Sequence, residues 1–244
     1  MINTKYIKRT FSKGSYIVKA LKLMLFIKHN VFSFLNIRIG DYPSPPSEIG
    51  DIAHFNKSKR IHTKDEYKKY FKTENLYKDG DFVKMKPGLI LISFHKEKLY
   101  IKKCFKGVYK VNRFYSELIC LHRLRNKCNV PKIEFVDYKN KIIYLEYIYG
   151  KEICDKRSTN RYKLNRQNIG ISKENILSIM KQIHKNKILK YDIQPANYIV
   201  NGDSYYVIDF ADSLYFGKGL KISMNSIQRR ELERVDNLLS SLVN

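Results

Sequence analysis

Tryptophan is absent from this 244-residue sequence, acidic residues number only 23 against 47 Lys and Arg, and glycine is sparse. The acid deficit leaves a formal net charge of +24, which implies an anionic partner such as phosphate, nucleic acid, anionic lipid or acidic glycan. Four cysteines, Cys104, Cys120, Cys128 and Cys154, form no C-x-x-C pair, and the six histidines show no metal-ligand spacing. A disulfide framework and a structural zinc site are therefore not expected, and reduced cytosolic thiols are. Long apolar runs are also missing. The longest in the N-terminal segment, Leu23 to Ile27, is far short of the ~20 residues that a membrane span needs. No small-residue cleavage site follows it, so a secretory leader is not expected either.

What is present is a chain able to fold. It is 43% hydrophobic, enough for one domain or two small lobes. The first forty residues carry eight Lys or Arg and no acid. Within them Ile17 to Ile37 reads as a basic amphipathic helix. Two placements stay open for it: on an anionic membrane surface, or packed on the main domain. A turn-rich connector, Asp41-Tyr-Pro-Ser-Pro-Pro-Ser-Glu, follows. Residues 1–45 are thus expected to be an extension, and 46–80 a connector, helical around Lys64 to Phe71. Strands are expected at Phe82 to Met85, Leu89 to Phe94 and Lys98 to Phe105. An amphipathic helix from about Val111 to Asn126 comes next, then strands Lys132 to Tyr138 and Lys141 to Tyr147. Ser172 reads as the N-cap of a helix, and a last amphipathic helix spans about Ser226 to Leu242.

Between those last two helices lies the segment that carries chemistry. Asp192 is followed five positions on by Asn197, then by a short strand, a turn at Asn201-Gly202-Asp203, a second strand and Asp209-Phe-Ala-Asp212. The hairpin brings Asn197 and Asp209 to one end of a two-stranded ribbon. Asp192-x4-Asn197 alone arises readily by chance; it gains weight from the preceding helix and the strand–helix–strand order upstream. A capped turn with Asx side chains on backbone is the plain alternative.

With those motifs in place, the chain resembles the protein-kinase-like superfamily over about residues 82–243. It is most similar there to the bacterial lipopolysaccharide core heptose kinases. The segment Leu145-Glu-Tyr-Ile-Tyr-Gly150-Lys-Glu-Ile-Cys-Asp155 resembles their hinge, and Arg230-Glu-Leu-Glu-Arg suits their last helix. The resemblance implies an α+β, bilobal, protein-kinase-like fold. Residues 81–148 would form a small antiparallel-sheet N-lobe with one helix, and 149–244 a reduced, mostly helical C-lobe.

It also implies roles. Asp192 matches the Asp that steers the acceptor hydroxyl proton, and Asn197 and Asp209 match the Mg²⁺ ligands. The strand Leu99-Tyr-Ile-Lys102-Lys103 resembles the one whose Lys meets the ATP phosphates. The apolar pattern favours Lys102, and a shift of one residue gives Lys103; strand alternation lets only one face the cleft. Glu117, on the apolar stripe with Phe114, Leu121 and Leu124, matches the acid that pairs with that Lys. Glu146 and Ile148 fall in the linker that meets adenine. The pattern also departs from the family. No G-x-G-x-x-G loop precedes the Lys strand, Lys190-Tyr191 replaces His-Arg, and Ala211 stands third after Asp209-Phe210. The sequence ends about 30 residues after Asp212, which leaves little room for a peptide-docking lobe. The resemblance therefore implies an ATP- and Mg²⁺-dependent kinase of a sugar hydroxyl in a glycan or glycolipid. It would be cytoplasmic, with peripheral contact to the anionic inner face of the membrane. A kinase of another acceptor, such as an aminoglycoside-type small molecule or a protein, and a non-catalytic kinase-like binding module are the alternatives; nucleic-acid binding is not expected.

Overall fold

The computed structural model describes residues 16–52, 90–96, 98–155, 163–164, 172–217 and 225–243. The helix expected at Lys64 to Phe71 and the strand expected at Phe82 to Met85 lie outside these residues.

A five-stranded antiparallel sheet forms the N-terminal layer. Its strands are β1 (Gly50–Ile52), β2 (Ile90–His95), β3 (Lys98–Cys104), β4 (Ile133–Asp137) and β5 (Ile142–Glu146), ordered β1-β2-β3-β5-β4. The sequence reading did not anticipate β1, which pairs Gly50 with Phe94 at the edge of the sheet. Short turns make the rest local. Lys96 takes a left-handed φ of 46° between β2 and β3, and the Asp137 carboxylate accepts from the Asn140 N–H at 2.9 Å between β4 and β5.

Helix α1 (Tyr16–Phe34) precedes the sheet, and α2 (Lys110–Leu124) crosses one face of it. The apolar residues of α2 recur at helical spacing, so Phe114, Leu118, Leu121 and Leu124 are all buried on one stripe. Helix α1 ends at Phe34, and Asn36, with a φ of 50°, closes a reversed turn with an Ile37 N–H to Phe32 carbonyl bond of 2.8 Å.

The C-terminal part is built on α3 (Lys173–Lys185) and α4 (Asn225–Val243), packed side by side. The Ser172 hydroxyl caps α3 by accepting from the Asn175 N–H at 3.1 Å, as the sequence suggests. Short strands bridge the parts: β6 (Lys151–Glu152), β7 (Cys154–Asp155), β8 (Lys163–Leu164), β9 (Ile188–Leu189), β10 (Tyr198–Asn201), β11 (Ser204–Val207) and β12 (Leu214–Tyr215). Strands β10 and β11 form the expected hairpin, with Asn201 opposite Ser204, and β6 joins β10 on its other side. Gly150 is required there. Its φ is 125°, and a Cβ on it would lie 2.3 Å from the Val200 carbonyl oxygen. One hydrophobic core runs from Phe114 and Leu118 of α2 through Ile143 of β5 to Ile176, Met180, Tyr198, Phe210 and Val235, so both layers share it. Cys104, Cys120 and Cys128 are free thiols.

The architecture is α+β and kinase-like: a small antiparallel sheet with its crossing helix, followed by a mostly helical part.

Candidate active site

The site assembles where β3, α2 and the two loops flanking the β10–β11 hairpin converge. On β3 the decision between two adjacent lysines is made by the sheet. Lys103 stands opposite Ile143 and turns toward α2, while Lys102 stands opposite Tyr144, its Nζ 5.6 Å from that ring's centroid. Lys103 Nζ lies 2.9 Å from Glu117 Oε1 and 2.9 Å from Asp209 Oδ1. The structure thus joins Lys103, not the favoured Lys102, to these carboxylates. The apolar pattern misled because β3 buries Leu99 and Tyr100 in succession and does not alternate strictly.

Glu117 is fully buried, as its place on the α2 stripe requires. Burial raises its carboxyl, and the Lys103 ammonium beside it pulls it back toward the charged form. For Lys103, burial favours the neutral amine, but Asp209 and Glu117 together outweigh that and hold it charged, above its ordinary range. Glu117 Oε2 has no hydrogen-bond partner.

The segment from Lys190 to Asn197 is held from below. Asn197 closes a short 3₁₀ turn (Pro195–Asn197), and its Nδ2 donates to the Asp192 carbonyl at 3.1 Å. This orients the amide, so Oδ1 is buried and without a partner. The Ile208 N–H donates to the Asn197 carbonyl at 2.9 Å, which sets Asn197 and Asp209 at the same end of the hairpin. Asp192 is half-buried beside them.

Two residues here adopt left-handed backbone without being glycine: Tyr191 and Asp209, both with φ 64°. Such conformations cost about 1–3 kcal/mol each and persist only where neighbours impose them. The neighbours are identifiable. Lys190 is fully buried, and its ammonium donates to the Asp209 carbonyl while lying 5.0 Å from the Phe210 ring centroid. Burial lowers Lys190, and Asp209, Asp192 and Glu117 oppose that shift. Tyr191 sits inside a three-residue turn closed by the Asp192 N–H to Lys190 carbonyl bond of 2.8 Å. Glu231 of α4 fixes this turn. It accepts from the Lys190 N–H at 3.2 Å, the Tyr191 N–H at 2.5 Å and His184 Nε2 at 2.6 Å.

Sequence reasoning missed Lys190 and Glu231 as working residues. Lys190 was noted only as a departure from His-Arg. Glu231, in Arg229-Arg230-Glu231-Leu-Glu233-Arg234, has the look of a solvated helix face. A signal did exist: Glu231 shares a helical stripe with Val235 and Leu239, both buried.

Glu146 ends β5 opposite Tyr100, and its Oε2 accepts from the Lys132 N–H at 3.3 Å. Ile148 is buried in the link between the two layers.

Helix α1, for which the sequence left an anionic membrane surface and the main domain as placements, reaches the same place. Lys22 Nζ lies 3.7 Å from the Tyr191 ring centroid, and Leu21 packs with Leu189, Leu214 and Phe216. Next to these, Arg113 of α2 pairs with Asp212 at 2.8 Å on the surface.

No group of three or more His, Cys, Asp or Glu suited to a metal occurs among the described residues. The donors that do converge are an amide oxygen and a carboxylate, both hard oxygens. The buried, unpartnered Oδ1 of Asn197 beside Asp209 fits a Mg²⁺ ion and does not fit a soft-ligand metal.

A sheet lysine clamped between a helix carboxylate and the Asp of an Asp-Phe-Ala turn, above an Asp/Asn loop, defines a protein-kinase-like domain. A profile of the family described as ABC1 atypical kinase-like domain matches residues 112–237, just over half of the chain, and the chain belongs to that family. The matched range contains Glu117, Asp192, Asn197, Asp209 and Glu231. The chain is also similar to a probable bifunctional tRNA threonylcarbamoyladenosine biosynthesis protein of Methanococcus vannielii, with 34% identity over 87 residues. That match covers 36% of this chain and 14% of the relative's length.

Proposed function

We propose that this chain is an ATP-dependent phosphotransferase that moves the γ-phosphate of ATP to a hydroxyl group. The observation that carries the reading is the Lys103 ammonium held 2.9 Å from both Glu117 and Asp209, by elements from three parts of the chain. A buried ion group of this kind is costly to assemble for stability alone. It suits a site that must present one cation to phosphate oxygens. In this reading Lys103 binds the phosphates and Glu117 positions it. Asn197 and Asp209 hold Mg²⁺, which when bound neutralises charge on the phosphates. Asp192 orients the acceptor hydroxyl and takes its proton as the oxygen–phosphorus bond forms and ADP leaves. Backbone at Glu146 to Ile148 faces the adenine.

The acceptor is proposed as a sugar hydroxyl of a glycan or glycolipid, by analogy a lipopolysaccharide core sugar. Support for it is the hinge resemblance at Leu145 to Asp155. A second acceptor reading, a component of a tRNA-modification system, is favoured by the similarity to the Methanococcus vannielii tRNA threonylcarbamoyladenosine biosynthesis protein and by the net charge of +24.

Two measurements test these statements. Purified protein with labelled ATP and Mg²⁺ is expected to turn over nucleotide, and absence of any Mg²⁺-dependent turnover or phosphoryl transfer would sink the phosphotransferase reading. Mass spectrometry of surface glycolipids, with and without the gene, is expected to show loss of one phosphate. Unchanged glycolipids together with altered tRNA nucleosides would move the acceptor to the second reading.

A further inference from the structure

Helix α1 has two apolar faces, and the body of the protein uses only one. The inner face carries Leu21, which is buried, and His29, whose ring is within 2.8 Å of Asn112 Oδ1 on α2; Phe32 stacks edge-on against Tyr115 at 5.7 Å. The outer face carries Leu23, Met24, Ile27, Val31 and Phe34, with Leu35 just beyond the helix end, and all six are exposed; Phe34 is 85% exposed. They recur every three or four residues, so they form one continuous stripe. Among the described residues only two other large hydrophobics, Ile90 and Val108, are so exposed. A stripe of this length on one helix marks a contact surface and not scattered surface residues.

We infer that α1 docks this protein on an anionic lipid surface, stripe inward, and that this holds the catalytic loop at headgroup depth. Charge selects the occupant. No acid occurs from residue 16 to residue 40, and exposed Lys28 and Arg38 stand beside the stripe, where they can reach lipid phosphates as the aliphatic side chains enter the acyl boundary. A second copy would bring together two chains that each carry a net charge of +24, which opposes self-association. A nucleic acid would meet the cations but give the aliphatic stripe nothing to bury against. No described helix is long and apolar enough to span a bilayer, so α1 lies on the surface.

The consequence for the site rests on the phosphotransferase reading. The inner face of α1 contacts the catalytic loop through Lys22 over Tyr191, next to Asp192. A seated α1 therefore sets Asp192 close to the lipid–water boundary. Hydroxyls on lipid headgroups or on short lipid-linked glycans are the acceptors that such a site reaches.

The docking is tested on the full chain with vesicles of phosphatidylcholine alone and with phosphatidylglycerol added. Sedimentation with the anionic vesicles is expected, weakening as salt rises. The variant Leu23→Glu/Ile27→Glu is expected to bind them about tenfold or more weakly, with unchanged ATP turnover and unfolding midpoint. Phe34→Glu alone, at the most exposed position, is expected to lower binding in the same direction without risk to the core. Sedimentation of the variants like the parent would overturn the inference. So would a parent that ignores anionic vesicles, a parent dimer that the stripe variants dissociate, or tRNA binding that they abolish. ATP turnover without vesicle binding would remove the docking and leave the phosphotransferase reading intact.

Discussion

Glu231, on the last helix, accepts a 2.5 Å hydrogen bond from the backbone N–H of Tyr191, the residue immediately before Asp192. The bond reaches across 40 positions of sequence and lands on a residue with φ 64°. A carboxylate that also takes the Lys190 N–H and His184 Nε2 uses both oxygens to keep that turn in place. Glu231→Ala would remove the acceptor that these three donors share, at about 1–3 kcal/mol for each donor that stays buried. We expect a lower unfolding midpoint and a fall in turnover of about 100-fold, with KM for ATP changed far less, since the loop and not the nucleotide pocket is released. Glu231→Gln, able to accept at one oxygen, should fall between. A KM effect equal to the turnover effect would show that Glu231 acts on the pocket as a whole.

The two adjacent lysines of β3 make a paired prediction. Lys103→Met breaks the pair with fully buried Glu117, for which loss of a partner costs about 3–5 kcal/mol, and it removes the cation proposed to meet the phosphates. Turnover should fall below detection while Lys102→Met stays within about threefold of the parent. Equal losses in the two variants, read by nucleotide turnover and thermal melting, would mean that β3 pairs differently in solution.

Asn197 and Asp209 are predicted to govern the Mg²⁺ requirement. Asn197→Ala removes a buried oxygen that has no protein partner and also the Nδ2 bond to the Asp192 carbonyl, so a fold cost of about 1 kcal/mol is expected beside the metal effect. The Mg²⁺ concentration needed for half-maximal ATP turnover should rise about tenfold or more. Asp209→Ala should abolish turnover outright. It also deprives Lys103 of one carboxylate, which a lower melting temperature would report. An unchanged Mg²⁺ dependence in Asn197→Ala would remove Asn197 from the metal site.

His29 predicts the response of α1 to acid. Burial against α2 lowers its pKa from 6.5 to about 4; the Asn112 bond opposes this, and Lys28 adds to it. Its Nε2 has no partner. Between those two values the unfolded chain binds a proton that the folded chain refuses, so stability rises with pH. The contribution is complete above pH 6.5 and is lost as pH falls toward 4, on the order of 3 kcal/mol. Urea midpoints measured across that range should show this loss in the parent and not in His29→Leu. The same slope in both proteins would assign the acid sensitivity to other groups.

How far the site was legible follows from how far apart its parts lie in sequence. Asp192, Asn197 and Asp209 are spaced by one 3₁₀ turn and one hairpin, so local rules alone aligned them. Ser172 was legible for the same reason, since a cap acts within three residues. Lys103 was not separable from Lys102, because the face of β3 that meets Glu117 depends on where α2 crosses the sheet. Glu231 was invisible as an anchor: its partners are 40 and 41 residues away, and helical periodicity places a carboxylate on a stripe without saying what it touches. For α1 the sequence left lipid surface and protein body as alternatives, and the structure shows one face on the body and the other exposed.

The sequence by itself determined helices α1 to α4, strands β2 to β5, and the hairpin with its Asp–Asn–Asp order, while the α+β kinase-like class came from the resemblance to a known family. Those helices, strands and the hairpin arise from interactions within a few residues, where periodicity and turn chemistry act directly. Only the tertiary structure decided which lysine is clamped, that Lys190 and Glu231 hold two strained turns in place, and that α1 reaches the turn just before Asp192. Those outcomes depend on the packing of surfaces distant in sequence, where a buried charge must find its one available partner and an exposed charge need not.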